Sequence, residues 1–139
     1  LALRSHGLDV DPQLVDRGEF TFDSGLAAAR RLLSRATRPT AVFASNDDMA
    51  AAAIAAAHRA GLKVPDDLSV AGFDDTPVSS TVSPAITTMR QPIAQLAVAA
   101  VRMLAAALMR SNTDEPPAAK THQFQCALVE RESTGARVT

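Results

Sequence analysis

A chain of 139 residues that is 47% hydrophobic and 21% charged is long enough for one domain with a real core. Its formal charge of −1 creates no global field that would draw it to nucleic acid or to an acidic membrane. The single cysteine, Cys126, excludes an intramolecular disulfide, and no run reaches the ~18 apolar residues of a membrane span.

Leu1 to Arg4 reads as the last turns of a helix closed by Gly7, so the chain is expected to be a piece of a longer protein. Leu14-Val15 is a short strand candidate, with Gly18-Glu19-Phe20 as the loop after it. Thr21 or Asp23 caps a helix to about Arg35, on which Leu26, Ala29, Leu32 and Leu33 keep helical spacing. The cations Arg30, Arg31, Arg35 and Arg38 are read as a solvated face that complements the helix dipole. Ala41 to Ala44 reads as a strand apolar on both faces, as buried parallel strands are. Ser45 or Asn46 caps the next helix, which ends at Gly61, and Asp47 and Asp48 lie in its favourable first turn. Leu68 to Phe73 is a strand, Asp74-Asp75-Thr76-Pro77 starts a short helical turn, and Ile86 to Met89 is extended. Pro92 opens a helix to about Met109 that is apolar almost all round, and such a helix is normally covered. Asn112 to Pro117 is a polar loop, His122 to Val129 alternates like a final strand, and Glu130 to Thr139 reads as a frayed tail. Strands alternating with helices predict an α/β fold, a mainly parallel sheet with helices on both faces.

In such sheets ligands bind outside the carboxyl ends of the strands. Polar clusters fall there three times: Ser45-Asn46-Asp47, Asp74-Asp75 and Arg90-Gln91. Asn46, Asp74 and Gln91 supply the carboxylate and amides that pair with the hydroxyls of a sugar, and Phe20 supplies a flat platform for its C–H face. The competing structural roles are an N-cap for Asn46, a turn cap for Asp74, a linker position for Gln91 and a core position for Phe20. Catalysis and metal binding find no footing. The acidic pairs are adjacent in sequence and point apart, and the three histidines are scattered. Cys126 has no base beside it, and no phosphate loop occurs. No cofactor is expected.

Three ordered segments carry a resemblance: Pro39-Thr40-Ala41-Val42-Phe43-Ala44-Ser45-Asn46-Asp47, then Val64-Pro65-Asp66-Asp67-Leu68-Ser69-Val70-Ala71-Gly72-Phe73-Asp74-Asp75, then Thr87-Thr88-Met89-Arg90-Gln91-Pro92. Together with the Leu128-Val129-Glu130-Arg131 ending, they resemble the lactose-repressor/galactose-repressor (LacI/GalR) family over nearly the whole chain. The resemblance implies a cytoplasmic bacterial transcriptional regulator. Such a protein has a helix-turn-helix domain for operator DNA and a two-lobed periplasmic-binding-protein-like core for a sugar or other small effector. This chain would be the second half of that core. Asn46, Asp74 and Gln91 are then effector contacts, and Phe20 matches the family's aromatic position. Ile93 stands where some members have an aromatic, and the family's arginine contact precedes Leu1.

The resemblance also implies three segments. Residues 1–91 are the second lobe, 92–120 a helix and loop that pack on the first lobe, and 121–139 the final strand and tail. Without that first lobe, the chain is expected to hide its apolar helix by self-association or rearrangement. A homodimer is implied through the helices near 22–35 and 46–60, with Ala51, Ala52 and Ile54 at the contact. A periplasmic sugar-binding transport protein is the alternative on the same core, and an enzyme on an α/β scaffold is a more distant one.

Overall fold

The computed structural model of the protein describes residues 2–109 and 121–136. The polar loop read at 112–117 and the last residues of the tail lie outside the described residues. In chain order the elements are α1 (Ala2–Ser5), a 3-10 turn (Pro12–Leu14), α2 (Phe22–Leu33), β1 (Ala41–Phe43), α3 (Asp47–Arg59), β2 (Ser69–Ala71), α4 (Val78–Thr81), β3 (Thr88–Arg90), α5 (Ile93–Met109) and β4 (Ala127–Val129).

Local chemistry sets the ends of the two core helices. Thr21 caps α2 through a reciprocal pair of bonds with Ser24, and Asn46 caps α3 by accepting from the Met49 N–H at 2.9 Å. Gly61, at φ +74°, ends the segment after α3 in the left-handed region that other residues avoid. The helices then pack face to face through small residues. A Cβ on Gly25 would stand 2.8 Å from the Met49 Cα, so only glycine allows this approach. Ala29 and Leu33 of α2 join Ala50, Ala53, Ile54 and Ala57 of α3 in one core with Leu68, Val70 and Ile86.

β1 and β2 are parallel, with Val42 opposite Val70, and bridges from Ala71 to Thr87 and from Asp74 to Arg90 continue the parallel order towards β3. β3 also pairs antiparallel with β4, Met89 opposite Leu128. Three strands therefore end near one edge, after Phe43, after Ala71 and at Arg90.

Several expectations are corrected. Leu14-Val15 is no strand. Asp11 accepts from the Gln13 N–H at 2.8 Å and Pro12 starts a 3-10 turn, so the Asp-Pro pair overrides the two apolar residues after it. β1 is not buried on both faces: Val42 is half-buried, but Ala41 and Phe43 project to the other side and are exposed. Ala51, Ala52 and Ile54 are 5%, 0% and 3% exposed, so they lie inside this chain's own core and present no surface to a second copy. Residues 130–136 are no frayed tail. The Ser133 N–H donates to the Ala85 carbonyl at 2.9 Å, its carbonyl accepts from the Val70 N–H at 2.8 Å, and Ser133 is fully buried.

α5 follows its predicted bounds but buries none of its residues. Ile93, Val101, Leu104 and Leu108 are each about 60% exposed or more. Covering even ~200 Å² of that face is worth about 5 kcal/mol. The isolated 139-residue chain is therefore expected to self-associate, and Leu104→Asp is expected to shift it towards monomer without lowering its stability. Sedimentation velocity over a concentration series checks the first point and urea unfolding of the variant the second.

Candidate functional site

The edge is organised by a carboxylate that faces away from water. Asp47 opens α3, where the helix dipole favours a negative charge, and it is 0% exposed. Its Oδ2 accepts from the Thr76 N–H at 2.7 Å and from the Thr76 hydroxyl at 3.1 Å, and its Oδ1 accepts from the Thr88 hydroxyl at 2.5 Å. One side chain thus joins the start of α3, the loop after β2 and the start of β3. Gly72 makes room for it: a Cβ there would collide with Asp47 Oδ1 and press on the Ala50 Cβ at 3.2 Å. Sequence reasoning placed Asp47 in a strand-end polar cluster and in the first turn of the helix, but did not mark it as a buried acceptor that joins three segments. Nothing local distinguishes it from Asp48, which is exposed; the signal available was the threonine-rich run at 87–88 that needs acceptors.

The loop held by Thr76 carries two of the chain's unusual backbone conformations. Among the described residues, the non-glycine positions with positive φ are Phe20 (58°), Asp74 (110°) and Asp75 (58°). Such residues store strain and gather at functional sites, and aspartate tolerates the left-handed region better than most. The Asp74 N–H donates to the Met89 carbonyl at 2.9 Å. Its carboxylate Oδ1 accepts from Gln91 Nε2 at 2.5 Å, which leaves Oδ2 and the Gln91 Oε1 without partners among the described residues. Asp74 and Gln91, distant in sequence, are thus in direct contact at the strand ends.

Asp75 turns the other way. It accepts from Arg131 at 2.6 Å, from Arg90 Nε at 2.5 Å and from the Ser79 hydroxyl at 3.2 Å. The Arg131 guanidinium, and secondarily Arg90, holds its carboxyl below the usual carboxylate range against the opposing effect of burial. Arg131 also donates to the Ile86 carbonyl at 2.8 Å. Two residues on, the Ser133 hydroxyl donates to the Val70 carbonyl at 2.5 Å and accepts from the Thr87 N–H at 2.8 Å, bridging β2 to the segment entering β3. Sequence reasoning missed Arg131 and Ser133 because position near a terminus was taken to mean fraying.

Asn46 and Phe20 form the other half. Besides capping α3, Asn46 donates from Nδ2 to the Phe20 carbonyl at 3.0 Å, and that bond fixes the loop carrying the ring. Phe20 is 65% exposed, so it is no core residue. It borders an open groove of about 350 Å³ lined by Val15, Asp16, Arg17, Gly18, Ser45 and Met49. Arg31 donates to Asp16 there in two bonds of 2.7 and 2.8 Å, and its side chain stays 54% exposed, as expected of a solvated arginine face. The four candidates therefore fall into two bonded pairs, Asp74 with Gln91 and Asn46 with Phe20. The pairs are linked through Asp47, the neighbour of Asn46, and its bond to Thr76. The arrangement offers acceptors, amide donors and an exposed ring, which suits hydroxyl recognition. Among the described residues no cluster of histidine, cysteine or acid side chains is arranged to hold a metal ion.

The profile of the periplasmic binding protein-like domain matches residues 1–134. The chain belongs to that family. Within it, the chain is similar to regulators of the LacI type. It is 38% identical over 135 residues to the HTH-type transcriptional repressor CytR of Escherichia coli, covering 97% of this chain and 38% of the relative. It is 35% identical over 124 residues to catabolite control protein A of Priestia megaterium, covering 89% of this chain and 37% of the relative. Among solved structures, the transcriptional regulator CelR in complex with cellobiose is 37% identical with a TM-score of 0.85, covering 95% of this chain and 39% of that one. A putative LacI-family regulator from Sanguibacter keddieii has the same identity and TM-score, covering 97% and 49%. The LacI/GalR resemblance and the periplasmic-binding-protein-like fold read from the sequence are thus borne out. The chain spans about two fifths of the length of the curated relatives it matches.

Two outcomes follow for this periplasmic-binding-protein-like domain. Asp47→Ala leaves the Thr76 N–H and the Thr88 hydroxyl without their acceptor, at an expected cost of about 3–5 kcal/mol, read from the urea midpoint. Asp75 has a folded pKa below its unfolded value, so its stabilisation is complete above the unfolded pKa of about 3.8 and is lost as pH falls through the folded value. Thermal unfolding at stepped pH is therefore expected to show a loss below that point that is smaller in Asp75→Asn.

Proposed function

We propose that this domain is the effector-sensing lobe of a cytoplasmic DNA-binding transcriptional regulator and that its strand-end site binds a sugar. The observation that carries the reading is the Asp74–Gln91 pair, held at the carboxyl edge of the sheet on strained backbone with one carboxylate oxygen open. A carboxylate and an amide side by side accept from and donate to neighbouring hydroxyls of one ring, with Asn46 and the exposed Phe20 ring completing the contact. The cellobiose bound to CelR supports a neutral sugar as the first ligand to test.

The mechanism is allosteric. The edge supplies half of a cleft, and the first lobe supplies the rest above α5. Sugar binding favours one arrangement of the lobes, and that arrangement alters the affinity of a helix-turn-helix domain for its operator. Sugar and operator must then change each other's affinity by the same factor. The regulator acts as a homodimer through surfaces other than Ala51, Ala52 and Ile54. The repressor names of the relatives support a regulator over a transport protein on the same core. They speak equally against an enzyme as the first reading.

In the intact protein, Asp74→Ala removes a charged acceptor worth about 2–3 kcal/mol, so sugar affinity is expected to fall roughly 30- to 150-fold. Operator affinity without sugar stays unchanged. Calorimetric titration with cellobiose and a panel of mono- and disaccharides, beside operator gel shifts, checks both. An Asp74→Ala protein that responds to the same sugar with undiminished affinity removes this edge from the site.

A further inference from the structure

The turn that carries Asp74 is held by a cluster outside the proposed contacts. We infer that Arg90, Asp75 and Arg131 form a positioning device that keeps Asp74 aimed out of the strand edge, a reading that rests on the proposed function of Asp74. Asp74 and Asp75 are successive residues with positive φ, each disfavoured by about 1 kcal/mol or more, so the turn needs outside restraint. The Asp74 N–H bond to Met89 is one restraint, and the other is the Asp75 carboxylate, which takes an arginine from each side. Arg90 ends β3, the strand that runs on into α5. Arg131 lies two residues beyond Val129, the last residue of β4. β3 pairs antiparallel with β4, with Met89 opposite Leu128, and Arg90 also bridges Asp74 in parallel.

The registers of the two acids alternate. Asp74 pairs with Gln91 and Asp75 with Arg90, so neighbouring side chains of the turn engage the last residue of β3 and the residue after it. A shift of β3 along its axis therefore moves both at once. Arg131 fixes the turn from the opposite side while also gripping the Ile86 carbonyl, which ties it to the start of the same segment. Any displacement of the paired strands reaches Asp74 through this cluster. In the other direction, a ligand that reorients Asp74 alters the restraint on both strands. The three side chains lie outside the apolar core around α3, which Arg131 touches through the Ile86 carbonyl.

Hydrogen–deuterium exchange of the intact protein, read by mass spectrometry, tests this without any ligand. Arg131→Met is expected to speed exchange in residues 73–77 at least tenfold while residues 50–57 of α3 are unchanged. Arg131→Lys should restore part of the protection, and Arg90→Met, whose arginine is 60% exposed and tolerant of change, should give a smaller rise at 73–77. Unchanged exchange at 73–77 in both methionine variants, or an equal rise at 50–57, overturns the inference. The readout is independent of the sugar: an Asp74→Ala protein with normal sugar affinity defeats the site assignment, whereas exchange at 73–77 judges the positioning device alone.

Discussion

The buried carboxylate of Asp47 is the constraint on which the edge depends. A charge removed from water is tolerated only where donors replace the lost hydration, and here Thr76 and Thr88 do so from two other segments. The demand for those donors fixes how α3, the loop after β2 and the start of β3 meet. It also explains Gly72, where a side chain would occupy the volume the carboxylate needs. The neighbouring Asn46 inherits a defined position, and its bond to the Phe20 carbonyl carries the same order into the loop before α2. A polar knot of this kind rigidifies only when all its members are satisfied, as they are at Asp47.

Order at the knot permits strain beside it. Phe20, Asp74 and Asp75 occupy backbone conformations that free chains avoid, and each is held by a bond from a different segment: Asn46 to Phe20, Met89 to Asp74, and the two arginines to Asp75. The strain is local, whereas the restraints come from the helix start, β3 and the carboxy-terminal segment. Ser133 does the equivalent for the strands, filling the seam between Val70 and Thr87. The segment after β4 is therefore part of the domain's architecture.

Much of this was legible where short-range rules decide. The Asn46 cap, the stop at Gly61, the start of α5 after Pro92 and the placement of polar residues at strand ends all follow from local chemistry. What escaped depends on contacts between distant segments. Asp47 and Asp48 are equivalent to any helix rule, yet one is buried and the other exposed. Ala51, Ala52 and Ile54 read as a docking stripe because small residues favour close packing. The partner turned out to be the chain's own α2 and sheet, brought near by Gly25. Leu14-Val15 had strand composition, but the Asp-Pro turn decided its backbone. Position near a terminus concealed Arg131 and Ser133, whose roles exist only once β2 and β3 are side by side.

α5 is the element that this chain leaves uncovered. Its apolar surface is left exposed by this chain, and it begins one residue beyond Pro92, two residues after Gln91. The central claim is that ligand is held at that edge. A crystal structure of the intact protein bound to the sugar that releases it from its operator tests this most directly. The account predicts sugar hydroxyls within hydrogen-bond distance of the Asp74 carboxylate and the Gln91 amide, with the Phe20 ring against the sugar. A sugar bound elsewhere, with Asp74 still paired only to Gln91 and its second oxygen open to water, would contradict it.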